Sequence, residues 1–156
     1  MKSRAVVLVL GAIVLAASHP ATAEDGLCKP LRSFIASVKP DETRVLRFHT
    51  SWGSNLKDDE EPAFFAKRCD HGGYEPAKAV CEYLMEHGAT EFSGKNAKAA
   101  VSCLSPQTRI PAGMQVHTIS VSFSVGTENR GSLVDVKFTE DVDLGGMVLS
   151  ISADGY

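Results

Sequence analysis

The residues with the greatest chemical capacity are four cysteines, Cys28, Cys69, Cys81 and Cys103, and the scattered histidines His49, His71, His87 and His117. Cysteine beside histidine raises the question of zinc. No C-x-x-C pair occurs, however, and neither His71 nor His87 completes a zinc-binding spacing. The even count points instead to two disulfides, the default in an oxidising compartment. Either neighbour pair, Cys69–Cys81 or Cys81–Cys103, can close across a turn, with Cys28 taking a remaining partner. Cys28–Cys81 with Cys69–Cys103 is the least favoured arrangement. The histidines form no H-E-x-x-H pair. His49 and His117 fall on candidate strands and can meet on one sheet, with Ser51, Ser120, Ser122 and Asp135 as neighbouring hydroxyls and acid. That leaves a Ser/His/Asp site arithmetically open, but such sites are defined by geometry, not spacing. A solvated or hydrogen-bonded sheet histidine is the commoner role.

Other groupings dissolve on closer reading. His71-Gly72-Gly73 has the composition of an oxyanion-hole turn, yet the G-x-S-x-G pentapeptide such chemistry requires is absent, so the turn suffices as an explanation. Residues 88–95 (GATEFSGK) approach a phosphate loop, with one residue too many between the glycines and no Ser or Thr after the lysine. Glu140, Asp141 and Asp143 precede Gly145 and Gly146, but they lack the terminal glutamate of a calcium loop. Asp58, Asp59, Glu60 and Glu61 form an acidic run ahead of a candidate helix, where the dipole alone accounts for negative charge. Trp52 stands just before them. It reads either as an edge residue closing the core or as an interface anchor. No metal and no cofactor are expected.

The compartment is legible at the N-terminus. Lys2 and Arg4 give a positive start, residues 5–17 are apolar or small, Ser18, His19 and Pro20 break the run, and Ala21-Thr22-Ala23 offers small residues for cleavage. The apolar run is too short for the ~20 residues of a spanning helix. Residues 1–23 are therefore expected to be an export signal, placing a mature chain of residues 24–156 in the periplasm or outside the cell, with no membrane attachment after cleavage. The whole sequence has 156 residues, 22% charged and 7% aromatic, and a net charge of −3, part of which Lys2 and Arg4 offset. Its mean hydropathy is −0.04. That is the composition of one soluble globular domain, with no basic footprint for nucleic acid.

Hydrophobic periodicity supplies the elements. Leu27, Leu31, Phe34, Ile35 and Val38 mark a first helix, and residues 43–50 (TRVLRFHT) a strand. Pro62 opens a candidate helix with Phe64, Phe65 and Cys69 on one face. Residues 76–87 form the clearest helix, with Pro76 at its start and Gly88 just past its end. Ser93 is placed to cap another helix reaching Leu104. After Pro106 the period becomes two, and three strands follow in meander order, with Phe123, Phe138 and Ile151 among their inward positions. The expected fold is one α+β domain: a disulfide-tied helical layer on a four-stranded, mainly antiparallel sheet, in the chain order α-β-α-α-α-β-β-β.

Export, small size, paired cysteines and no assembled catalytic motif point to a binding protein of inhibitor or immunity type, acting on another exported protein. Net negative charge suits a basic partner such as a cell-wall hydrolase. Trp52 and the acidic residues 58–61 are the candidate contact segment. A small-molecule or lipid carrier with a pocket between sheet and helices, or a small hydrolase, is the alternative.

Overall fold

In a computed structural model, residues 23–111 and 113–156 are described, so the export segment, apart from Ala23, lies outside them. The elements run α1 (Ala23–Ser37), β1 (Thr43–Trp52), β2 (Phe65–Asp70), α2 (Glu75–His87), α3 (Gly94–Leu104), β3 (Ile119–Thr127), β4 (Arg130–Glu140) and β5 (Met147–Gly155). The α+β class stands. The sheet, however, has five strands in the order β2-β1-β5-β4-β3, every neighbouring pair antiparallel.

The fifth strand is the segment read from sequence as a helix. Phe65 and Cys69 sit four apart, which satisfies a helical template. In the fold the same six residues pair with β1, Phe65 opposite Trp52 and Cys69 opposite Phe48. A helix this short must carry its own nucleation cost, whereas a strand laid on β1 does not. The chain order is therefore α-β-β-α-α-β-β-β.

The three helices cover one face of the sheet. Leu31, Phe34 and Ile35 of α1, Val80 and Leu84 of α2, and Ala97 and Ala100 of α3 bury against Leu46 and Phe48, Val134, Val136 and Phe138, and Leu149 and Ile151. The other face is polar and open, with Arg47, Lys137 and Ser122 exposed on three of its strands. Two disulfides brace the fold, one within the helical layer and one between helix and sheet. Cys28–Cys103 joins α1 to α3, and Cys69–Cys81 fastens the edge strand β2 to α2. No described cysteine is free. The second bridge is one of the neighbour pairings the sequence left open.

Two helix ends differ from expectation in their cause. Ser93 adopts helical angles and makes no side-chain cap bond. Gly88 caps α2 in an extended conformation, not a left-handed one. Its need for glycine is spatial: a Cβ there would lie 2.4 Å from the Leu84 carbonyl oxygen and 2.7 Å from the Phe48 ring. The turn out of α2 thus packs directly on the sheet's core.

Candidate functional site

Strands β1 and β2 end together, and the loop between them carries the candidate contact segment. Gly53, at φ 81°, takes the left-handed conformation that lets the chain leave β1, and its N–H donates to the Phe64 carbonyl at 2.8 Å. This closure sets three aromatic residues at the junction of the two strands. Trp52 and Phe65 are register partners across β1 and β2, and Phe64 meets Trp52 edge to face at 4.9 Å between centroids. Trp52 is 46% exposed, Phe64 66% and Phe65 54%. Trp52 therefore does not close the core. All three side chains face solvent.

The acidic residues of the loop divide into two pairs. Arg68 on β2 reaches Asp58 and Asp59, each at 2.6 Å. The hydrogen bond from Arg68 holds the Asp58 carboxyl below its usual value, and Asp58 in turn pushes the guanidinium further up. Asp59 also accepts from the Leu56 N–H, which folds the loop on itself. Asp58 and Asp59 are thus structural ligands of Arg68, not a charge at a helix start, since no helix follows. Glu60 and Glu61 are exposed and make no ion pair among the described residues; they lie in the same loop, a few residues before Phe64.

Beneath the loop lies a buried dyad. His49 Nδ1 and Asp141 Oδ2 are 2.6 Å apart, with side chains 12% and 7% exposed. Asp141 Oδ1 accepts from the N–H groups of Asp143 and Leu144. Burial raises the Asp141 carboxyl, but the bonds from the Leu144 N–H, His49 and the Asp143 N–H outweigh it and leave the group below its ordinary value. The turn that holds Asp141 touches the acidic loop, because Lys57 donates from its N–H to the Leu144 carbonyl and from Nζ to the Val142 carbonyl. Gly146, at φ 76°, permits this, since a Cβ there would meet the Thr50 carbonyl oxygen at 2.2 Å.

The groups that would complete a nucleophilic site are elsewhere. His117 precedes β3, and β5 and β4 intervene between β1 and β3, so the two histidines do not meet. Ser51 Oγ bonds Ser54, and Ser122 donates to Asp135 on the open face. No described hydroxyl is hydrogen-bonded to His49, whose ring bonds Asp141 alone among the described residues. Asp141 of the acidic turn is committed to His49 and two amides, and no group of three metal-ligating side chains occurs among the described residues.

His117 instead lines a cleft of about 400 Å³ between the start of α3 and residues 113–117. Phe92, Met114, Phe138 and Met147 line it together with Lys95 and Lys98. Lys98 donates to the Met114 carbonyl, which fixes the wall.

Sequence reasoning singled out Trp52 and the acidic run but missed Phe64 and Phe65. Two adjacent aromatics after Pro62 in an otherwise polar loop were the available signal. Comparison with protein families, with curated proteins and with solved structures finds no match for this chain. The site's own chemistry is therefore the basis for its function.

Proposed function

We propose that this is an exported protein-binding domain of inhibitor or immunity type that docks a basic exported protein, such as a cell-wall hydrolase, through Trp52, Phe64 and Phe65. The observation that carries the reading is the exposure of Trp52, Phe64 and Phe65 at the junction of β1 and β2, beside a loop that also exposes Glu60 and Glu61. Aromatic anchors inside a polar rim are the composition of an interface core, and rim acids draw in a cationic partner. The two disulfides suit an oxidising compartment, as export requires.

The test uses the oxidised protein immobilised and a basic lysozyme in solution, beside the same lysozyme with its lysines acetylated. Trp52→Ala is expected to weaken binding about thirtyfold, mainly through faster dissociation, as for an anchor worth roughly 2 kcal/mol. Reversing Glu60 and Glu61 to lysine is expected to slow association at low salt with an unchanged circular dichroism spectrum. Asp58 and Asp59 are left in place because they hold Arg68. Equal binding of native and acetylated lysozyme, or no effect of either change, refutes the basic-partner reading.

The cleft beside α3 supports a second reading, a carrier of small amphiphilic anions. Its apolar lining of Phe92, Met114, Phe138 and Met147 suits a ring or chain, and Lys95 in the same lining suits a carboxylate or sulfonate. Anilinonaphthalene sulfonate should then bind saturably at one site, and Lys95→Glu should weaken that binding several-fold. A fluorescence titration without saturation excludes the carrier.

A further inference from the structure

The sheet has two edges with opposite chemistry. The β2 edge carries Lys67, Arg68 and Asp70 and is fastened to α2 by Cys69–Cys81. Charged side chains and a covering tie are the usual protections against edge-to-edge pairing. The β3 edge has neither. Its sequence, ISVSFSVGT, contains no charge and no proline over nine residues. Ser120, Ser122 and Ser124 are exposed on the open face, while Ile119, Val121, Phe123 and Val125 are only half-buried on the helical side.

We propose that β3 pairs antiparallel with β3 of a second copy, joining the two five-stranded sheets into one continuous sheet. A two-fold axis at Ser122, perpendicular to the sheet, sets Ser122 opposite its own counterpart. It also sets Val121 opposite Phe123, Ser120 opposite Ser124 and Ile119 opposite Val125. Every pair matches hydroxyl with hydroxyl or apolar with apolar, because a two-fold through a residue preserves the side-chain alternation. The same axis keeps both helical layers on one face, so the half-buried apolar rows of the two copies cover each other. No like charges stand opposite across the pair, as self-pairing of β2 would impose. The ladder ends at Gly126, whose φ of 122° departs from strand geometry and whose Cα side lies against Arg130 and Gly131. The backbone N–H and C=O groups on the outer side of β3, which pair with no strand among the described residues, acquire partners, and affinity follows from that row of bonds. The proposal is independent of the docking reading, since β2 and its aromatic cluster stay at the two outer edges.

Sedimentation velocity on the oxidised chain from about 1 to about 100 μM tests the proposal, because self-association is concentration-dependent. The expected result is a rise from monomer to dimer mass across that range. Ser122→Lys places two ammonium groups opposite each other at the axis and should raise the dimer dissociation constant at least tenfold. Should Ser122→Lys fail to fold, Ser122→Cys is the second variant. Opposed residues of an antiparallel pair lie about 4.5–5.5 Å apart at Cα, within disulfide reach, so mild oxidation should link the copies. Ser150→Cys, on an interior strand, should stay unlinked. Monomer mass at the highest concentration, or a Ser122→Cys chain that does not crosslink faster than Ser150→Cys, overturns the proposal.

Discussion

Replacing Cys28 and Cys103 together by alanine is expected to lower the stability of the domain by about 4.5 kcal/mol, against about 3 kcal/mol for Cys69 with Cys81. The difference follows from the chain each bridge closes, with sequence separations of 75 and 12 residues. A longer loop removes more freedom from the unfolded chain, so its loss restores more. The two bridges also hold different structures. Cys28–Cys103 lies between α1 and α3 inside the helical layer, and Cys103 is buried there. Cys69–Cys81 pins the edge strand β2, the one that presents Phe65. Losing the first should shift the urea midpoint of the whole domain. Losing the second should cost less stability yet loosen the aromatic cluster, so partner binding falls further than the midpoint predicts. Urea titration of both double variants checks the ranking, and an equal or reversed order contradicts the loop-closure account.

Legibility in the sequence divides by the range of the interaction. α1, α2 and α3 declare themselves through stripes such as Ala77, Val80, Cys81 and Leu84, because the period and the burial are properties of one segment. β3, β4 and β5 do so through alternation. β2 does not, since its six residues have no periodicity long enough to separate strand from helix, and only β1 decides the matter. The site behaves the same way. Trp52 and the acidic run are visible as residue types, but the partner of Asp58 and Asp59 is Arg68, supplied by a strand whose sequence has helical spacing. Exposure of Trp52 depends on where β1 and β2 stop relative to the helical layer, which no local pattern encodes. The His49–Asp141 pair spans 92 residues of sequence and exists because the turn after β4 folds back over β1. His49 lies on β1 and His117 just before β3, and sheet order separates those strands by two others. Periodicity reports that a residue lies on a sheet and says nothing of its neighbours across it.

Asp141 is the position where that long-range arrangement should be most costly to disturb outside the core. Its carboxylate accepts from His49 and from the Asp143 and Leu144 N–H groups while almost fully buried. Asp141→Ala removes all three acceptances and strands the partners, with an expected loss of about 3 kcal/mol. Asp141→Asn can still accept from the two amides through Oδ1, so its expected loss is smaller, about 1–2 kcal/mol. The two variants separate by pH. The folded carboxyl titrates below its ordinary value of 3.8. A depressed carboxyl contributes its stability in full above the unfolded value and loses it as the pH falls through the folded one. The gap between wild type and Asp141→Asn should therefore narrow as the pH falls below about 4. Asp58 is depressed as well, but it is present in both proteins and cancels in the difference. Since the Asp141 turn supports residue 57 and the acidic loop, the same variants should also lower partner binding at neutral pH, Ala more than Asn. Urea midpoints measured between about pH 7 and about pH 3 decide the point: a wild-type-minus-Asn gap that does not shrink on acidification would mean the ionised carboxylate contributes nothing to the fold.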